Sequence, residues 1–373
     1  MSGRHLRTER QDWCAPRRQP GRCLPSEPPR RRGCRATQAK GHTMLPKFLA
    51  RLSVMPALVL GVAMASAPAV AEAETLIRLG HTLNPTDARH MGAERFAELV
   101  AERSDGAITV EVYPSSQLGG QAELFEGMNL GLVEMNIAGS THLSNLDPAF
   151  GVFDLPSLAP DAESFMALLD GEIGQSLLDR LPEVGIRGLA YSEVGFRHLY
   201  TNTPVESIED VAGLVLRVPG NPVYNDTLAT FGASPTSMAL GEVFTALQQG
   251  AIAGAENLIG FYRNSGHWEA APYVAMTYHA ALPSVWMMSE SFWQGLSAED
   301  QELIAAAAKE AAMYEREVSA EMEAAALEEL PGMGVTITEV DLAPFAALAP
   351  EIHARHRDTI GAELMDSVAA AMN

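Results

Sequence analysis

The chain reads GFRHLYTN at residues 195–202, LVLRVPGNPVYNDTLATFGASP at 214–235 and GEVFTALQQGAIAGAEN at 241–257. Arg197 and Arg217 stand at strand-like positions in this stretch, and Asn257 follows them. A guanidinium group is a planar fork of donors that matches a carboxylate, and it stays charged when it is removed from water. The stretch therefore predicts strands that carry a binding site for an organic anion.

The first 43 residues are set apart from the fold by clustered arginines and by the three cysteines of the chain, Cys14, Cys23 and Cys34. They resemble upstream sequence translated from a start placed too early. From Met44 the chain has a basic segment, an apolar run at 52–64 and then small residues. This order is typical of a secretory signal, so we expect residues 44–73 to be cleaved and the protein to reach the periplasm. A retained membrane anchor is the alternative, but the apolar run is shorter than the roughly 20 residues of a spanning helix.

The remainder is strongly acidic. The whole chain has a formal net charge of −21, and from residue 74 onward 13 Lys and Arg face 43 Asp and Glu. This balance argues against a nucleic-acid partner and favours a soluble protein with a carboxylate-rich surface. A length of about 300 residues suits two modest lobes or one large domain, with a hydrophobic core in place of disulfides.

Short strand-like runs alternate with helical patterns, which predicts an α/β fold. Strands are expected near 75–80, 107–113, 133–138, 188–192, 198–200, 214–218 and 251–256, and helices near 88–103, 120–130, 162–180, 222–231 and 241–249. Ser297 and Asp300 form a capping pair that opens one unusually long helix up to Leu330. At about 1.5 Å per residue this helix is long enough to span two lobes.

Several motifs, taken in order, resemble the extracytoplasmic solute receptors of TRAP transporters. They are YPSSQLG at 113–119, GFR at 195–197, LRVP at 216–219, GASP at 232–235, ALQ at 246–248 and EN at 256–257. The resemblance covers nearly all of residues 75–350. It implies a two-lobed periplasmic binding protein fold with crossing hinge strands. We expect lobe I to comprise 74–194 and about 283–322, and lobe II 195–282 and about 323–373.

The resemblance also implies the site. Arg217 would pair with the ligand carboxylate, Arg197 would be a second cation of the cleft, and Asn257 would donate to the same carboxylate. Leu240 resembles the family position that packs against the carbon skeleton of the ligand. Alternatives from the residues alone stay open: Arg217 as an edge-strand arginine, and Asn257 as a turn residue.

Other candidates are less specific. Glu242 either contacts the ligand or stabilises the start of its helix. His81 follows the first strand, where open α/β lobes place ligand groups, or it is a capping residue. Tyr262 and Trp286 are aromatic candidates for closing the cleft, or they are core residues. His353 and His356 lack a third ligand at usable spacing, so we expect no metal and no cofactor.

The implied function is a receptor that binds a small organic acid and delivers it to the membrane subunits of a TRAP transporter. Gly139 and Leu240 differ from the residues of sialic-acid receptors, and Ala253 and Ala255 differ from a DGQEN segment of the family. A C4-dicarboxylate, a uronate or other sugar acid, and a short hydroxy or keto acid remain as ligands. The alternatives are a receptor of an ATP-driven importer and an exported hydrolase, although the chain has no GxSxG, HExxH, GxGxxG or P-loop motif.

Overall fold

A computed structural model describes residues 75–372, except for the side chains of Glu193 and Val194. The proposed upstream segment 1–43 and the predicted signal peptide 44–73 lie outside these residues. The strands are β1 Thr75–Gly80, β2 Ile108–Tyr113, β3 Met135–Gly139, β4 Ile186–Thr201, β5 Val215–Val218, β6 Ser234–Ser237, β7 Gly254–Asn257, β8 Tyr273–Ser289 and β9 Thr336–Glu339. All nine belong to one mixed sheet in the order β2-β1-β3-β8-β4-β7-β5-β6, with β9 paired to β8.

Helices alternate with these strands. They are α1 Ala88–Arg103, α2 Gln121–Asn129, α3 Ala162–Asp170, α4 Glu172–Leu178, α5 Pro222–Thr230, α6 Val243–Gln248, α7 Ile259–Asn264, α8 Glu290–Gly295, α9 Ala298–Glu329, α10 Ala343–Ala346, α11 Ala349–Ile360 and α12 Ala362–Ala371. Short 3-10 helices cover Ser140–Asn145, Pro148–Asp154, Leu181–Val184, Ile208–Val211, Leu240–Glu242, His267–Glu269 and Leu330–Met333. Among the described residues, no helix is long and apolar enough to cross a membrane.

Two long antiparallel strands connect the halves of the sheet. The first part of β4 pairs with the last part of β8, where β8 also pairs with β3. The last part of β4 pairs with β7 and with the first part of β8, which also carries β9. The register shifts between Arg197 and Leu199, whose partners in β8 are Ala280 and Ala275. This irregularity lies where β4 passes from one half of the sheet to the other.

The long helix α9 contacts the cores of both halves. Ile304, Ala307 and Ala311 pack in a cluster with β1, β3 and α1. Ala326 packs in a second cluster with β7 and the first part of β8. Ser297 accepts a hydrogen bond from the backbone N–H of Asp300 at 3.1 Å, so the predicted cap begins the helix. One uninterrupted helix therefore joins the two halves alongside the crossing strands.

Some elements differ from the sequence expectation. The single helix expected at 162–180 is two helices, α3 and α4, separated by Gly171, which has an extended backbone. The two strands expected at 188–192 and 198–200 are parts of the continuous β4, and the 17-residue β8 was not predicted. Side chains of α11 and α12, among them Ile352 and Ile360, pack with the 3-10 helix Pro148–Asp154 and with α4, and Val223 of α5 belongs to the same cluster. The assignment of residues to lobes I and II stays a prediction.

Candidate functional site

A cavity of about 580 Å³ opens between the two halves of the sheet. We call it the interlobe cavity. Its lining residues are Thr82, Leu83, Arg89, Ser116, Gly120, Gln121, Ala122, Glu123, Gly139, Thr141, His142, Arg197, Arg217, Pro219, Gly220, Ser237, Met238, Ala239, Leu240, Gly241, Asn257, Leu258, Phe261 and Leu282. This volume is in the range of small-molecule sites. Arg217, Arg197, Asn257 and Leu240 are all in the lining, so the fold brings together four predicted site residues that lie up to 60 positions apart.

Arg217 lies in β5, beside Thr236 of β6 and Ala255 of β7. Its Nε and Nη2 donate to the carbonyl oxygen of Met238 at 3.1 and 2.9 Å, which fixes the guanidinium against the wall of the cavity. Among the side chains that the structure describes, no carboxylate lies within ion-pair distance of it. Burial lowers the pKa of Arg217. A buried cation of this kind is stabilised when an anion enters the cavity.

Arg197 is different because it already has a carboxylate partner. Its Nη2 donates to Glu256 Oε1 at 2.7 Å and to the Glu256 carbonyl at 2.8 Å, and its Nε also bonds the carboxylate. The guanidinium lies over the ring of Tyr224, 5.0 Å from the centroid. Glu256 in turn faces His279 Nε2 at 3.6 Å, and His279 Nδ1 pairs with Thr277 Oγ1 at 2.8 Å. A buried polar chain thus runs from the cavity wall to the irregular part of β8.

Asn257 ends β7 and is largely buried. Its Oδ1 accepts a hydrogen bond from the backbone N–H of Leu258 at 2.9 Å, which is the local turn role that the sequence left open. The amide nitrogen makes no hydrogen bond to any residue that the structure describes, and the side chain lines the cavity. The turn role and a donor role toward a ligand are therefore compatible.

Glu242 and His81 lie beside the cavity lining and bond to the protein. Glu242 Oε2 accepts a hydrogen bond from the backbone N–H of Ala239 at 3.1 Å, which matches its helix-stabilising alternative. His81 is fully buried; its Nε2 pairs with His90 Nδ1 at 3.2 Å and its Nδ1 accepts from the N–H of Leu83 at 3.3 Å. Burial, Arg89 and His90 together lower the pKa of His81 to about 3, so it is a neutral structural residue. Neither residue reaches the lining.

Tyr262 and Trp286 do not face the cavity, so their assignment as cleft-closing residues needs correction. Both are fully buried in core clusters. Tyr262 donates its hydroxyl to the Ala271 carbonyl at 2.8 Å. Trp286 Nε1 lies 3.0 Å from both Ser192 Oγ and Glu315 Oε2. Buried Tyr and Trp hydroxyl and N–H groups need such partners, which explains their positions without a ligand.

Arg89 and His142 are among the cavity residues that were not singled out from the sequence. Arg89 is in the first turn of α1, and its Nη2 donates to Ser284 Oγ of β8 at 2.6 Å. His142 is in the 3-10 helix that follows β3. Burial, then Arg217, Arg89 and Arg197, lowers its pKa to about 3. In the sequence, Arg89 resembles a surface residue because it stands at the start of an amphipathic helix. Its burial is evident only from its contact with β8.

The described residues contain no group of three or more His, Cys, Asp and Glu side chains that could hold a metal ion. The pair that was weighed for this role has protein partners instead. His353 Nε2 lies 2.7 Å from the Pro156 carbonyl, and His356 Nε2 lies 2.9 Å from Asp226 Oδ2. Both histidines therefore hold the C-terminal helix α11 against its neighbours.

A continuous sheet crossed by two long strands, with an arginine-lined cavity between its halves, is the architecture of a two-lobed binding protein. The model of the bacterial extracellular solute-binding protein family 7, DctP, matches residues 79–358. The chain belongs to this family, which is a family of solute receptors, and the predicted two-lobed fold and TRAP-receptor resemblance are confirmed.

Individual relatives agree with this assignment. A solute-binding protein of Roseobacter denitrificans is 35% identical over 306 residues, which cover 82% of this chain and 94% of that protein. The C4-dicarboxylate-binding periplasmic protein DctP of Rhodobacter capsulatus is 32% identical, with 82% and 93% coverage. The crystal structure of a TRAP periplasmic solute-binding protein of Polaromonas sp. JS666 bound to D-erythronate superposes with a TM-score of 0.77 at 33% identity, covering 80% of this chain and 99% of that one.

Proposed function

We propose that this protein is a periplasmic receptor that binds a small organic acid on Arg217 and delivers it to the membrane subunits of a TRAP transporter. One observation carries the proposal. Arg217 is a buried guanidinium that lines a ligand-sized cavity without a carboxylate partner among the described residues. A ligand carboxylate supplies that partner and offsets the desolvation of the cation.

The neighbouring groups fit this role. Arg197 is held by Glu256, so it keeps its position in the lining when a ligand enters. Asn257 offers an amide donor, and Leu240 and Phe261 offer apolar surface to a carbon skeleton. Relatives whose names give a C4-dicarboxylate and D-erythronate as ligands support a short organic acid.

The mechanism we propose is closure of the lobes on the ligand. Residues of the lining come from both halves of the sheet, so one bound molecule bridges them. The crossing strands β4 and β8 and the long helix α9 connect the halves and take up the hinge movement. The closed receptor is then the form that the membrane subunits recognise. No chemical change of the ligand is needed.

Calorimetry on the purified protein tests the proposal. D-erythronate, D-glucuronate, succinate and pyruvate are titrated into the wild type, Arg217→Ala and Arg95→Ala, the last being an arginine that pairs with Glu98 and Glu310 on the surface. We expect at least one acid to bind stoichiometrically and to be recovered unchanged, and we expect Arg217→Ala, but not Arg95→Ala, to weaken its binding strongly. Equal affinity of Arg217→Ala and wild type for that acid contradicts the proposal, and so does turnover of the acid.

A further inference from the structure

His142 is presented to the interlobe cavity by a fixed turn. It follows β3 within the 3-10 helix Ser140–Asn145, and Thr141 before it is buried. The Thr141 carbonyl accepts hydrogen bonds from Ser144 Oγ and from Asn221 Nδ2, both at 2.9 Å. These bonds tie the turn to the start of α5. The backbone that carries His142 therefore has a defined position in the wall.

Neither ring nitrogen of His142 makes a hydrogen bond to a residue in the described part of the chain. Three arginines and three acidic residues surround it. The charged groups around it are Arg89 of α1, Glu123 of α2, Arg197 of β4 and Arg217 of β5 in the lining, with Glu256 of β7 and Asp154 behind them. Burial and the three arginines hold the pKa of His142 at about 3, so the ring is neutral at neutral pH.

A neutral imidazole has one N–H donor and one acceptor nitrogen. A hydroxyl group also donates and accepts, so it can form a hydrogen bond with either ring nitrogen. A carboxylate only accepts, so it can pair with the N–H but leaves the acceptor nitrogen without a donor. The chemistry of His142 therefore favours a hydroxyl over a second carboxylate.

The rest of the cavity has the same preference. Its polar lining includes the side chains of Thr82, Ser116, Gln121, Thr141 and Ser237. Glu123 adds a carboxylate, which accepts from hydroxyls and repels anions. Arg89, the remaining cation near His142, already donates to Ser284 Oγ. One carboxylate is matched by Arg217, and the other polar groups suit hydroxyls.

We propose that His142 binds a hydroxyl group of the ligand and makes this receptor selective for polyhydroxylated monocarboxylates over dicarboxylates. This inference rests on the proposed function, since Arg217 must hold the single carboxylate. It adds the ligand class and a specificity-determining residue. Sites built to hydrogen-bond a hydroxyl reject analogues that lack it, because the buried polar group is left unpaired.

The test is calorimetry with three hydroxy acids, D-erythronate, D-galactonate and D-glucuronate, against succinate and butanoate. We expect the tightest hydroxy acid to bind at least about 10-fold more tightly than succinate. His142→Leu should weaken it by about 10- to 100-fold and leave butanoate unchanged, while His142→Gln, which keeps a donor and an acceptor, should retain most of the preference. His353→Leu, at a histidine bonded to the Pro156 carbonyl outside the cavity, is the matched control and should keep the wild-type preference.

The outcomes separate this inference from the function on which it rests. One outcome is that acids bind through Arg217 but succinate binds as tightly as every hydroxy acid. Another is that His142→Leu keeps the wild-type ratio between the affinities for the hydroxy acid and for butanoate. In either case the inference on His142 is wrong and the receptor function stands. If no acid binds or Arg217→Ala has no effect, the proposed function fails. Titrations in two buffers of different ionisation enthalpy give a further readout. We expect the wild type to take up no proton on binding at pH 7. If the wild type takes up about one proton and His142→Leu takes up none, the ring becomes charged on binding, and the proposal of a neutral hydroxyl-binding ring is wrong.

Discussion

Arg197 of β4 and Glu256 of β7 form an ion pair in which both side chains are buried, whereas Arg217 of β5, two strands from Arg197, has the Met238 carbonyl as its one hydrogen-bond partner among the described residues. Glu256 precedes Asn257 in β7, so the same strand supplies the counterion of one arginine and an amide to the cavity that the other arginine lines. The two cations therefore have separate tasks. Arg197 is part of the folded scaffold, and Arg217 is the group that an incoming anion pairs with.

The first prediction concerns Arg217→Met. Because burial opposes the charge of Arg217, we expect the ligand-free variant to unfold at the same temperature as the wild type or a higher one. Ligand binding should fall by about 2–5 kcal/mol, since the ligand carboxylate is left buried and unpaired. Arg217→Lys should also bind the ligand weakly, because an ammonium group cannot reproduce the two parallel hydrogen bonds of a guanidinium to a carboxylate. Differential scanning calorimetry with and without ligand measures both effects; a variant that loses stability and keeps its affinity contradicts the assignment.

The second prediction concerns the buried pair. Glu256→Gln leaves Arg197 in the core without its counterion, and we expect a loss of about 3–5 kcal/mol in the free energy of unfolding. The double variant Arg197→Met with Glu256→Gln should recover much of this loss, because neither charge remains. Urea unfolding of the wild type, both single variants and the double variant completes the cycle. Additive effects would show that the two groups do not act as a pair.

The third prediction is a pH dependence that arises from Asp154. Burial raises its pKa to about 8, although Asn221, which donates to Oδ2 at 2.7 Å, opposes the shift. The folded state therefore holds a proton that the unfolded state releases near its ordinary pKa of about 4. The stabilisation is complete below pH 4 and is lost as the pH rises toward 8.

Asp154→Asn removes this titration. The free energy of unfolding of the variant relative to wild type should rise by about 1 kcal/mol or more between pH 5 and pH 8.5. Urea unfolding at several pH values measures this difference, and taking the difference between the two proteins cancels the other titrating groups. A difference that is constant over the range would mean that Asp154 titrates normally.

The fourth prediction separates core from cleft at Trp286. Trp286→Phe removes the N–H that lies 3.0 Å from Ser192 and Glu315 and leaves space beside Phe96, so we expect a loss of about 2–4 kcal/mol in stability. Ligand affinity should not change, because the indole does not line the cavity. Trp293→Phe, at a partly buried tryptophan near Arg187, is the control for the substitution itself. A large drop in ligand affinity with unchanged stability would show that Trp286 contributes to the binding cleft and not mainly to the core.

The sequence predicted best where a local signal was sufficient. Helix α1 has the predicted bounds, and the capping serine of α9 lies at its predicted position. Strand β8 was missed because 15 of its 17 residues are buried, so side chains on both faces of the strand are covered. Its sequence therefore lacks the alternation of apolar and polar residues by which a half-buried strand is recognised. The helix break lies at Gly171, where a glycine inside the helical pattern was a local signal that the prediction did not use.

The same limit applied to the site. Arg217, Arg197, Asn257 and Leu240 were located because the motifs place them along the chain, and the cavity contains all four. Arg89 and His142 carry no motif, and their importance arises from the approach of α1, β5 and β8, which are far apart in the sequence. Tyr262 and Trp286 were misplaced because aromatic side chains serve cores and clefts equally well. Burial and hydrogen-bond partners separated these cases, and both are properties of the fold.

Helix α9 has 32 residues, about 48 Å of continuous helix, and it is packed into the core clusters at both of its ends. A rod fastened at two points cannot follow the swing of one lobe without flexing or sliding along it. If the lobes close on a ligand as proposed, α9 has to bend or to shift against one of these clusters, and part of the binding free energy is spent on that deformation. The same part is returned when the ligand leaves, which favours the open receptor.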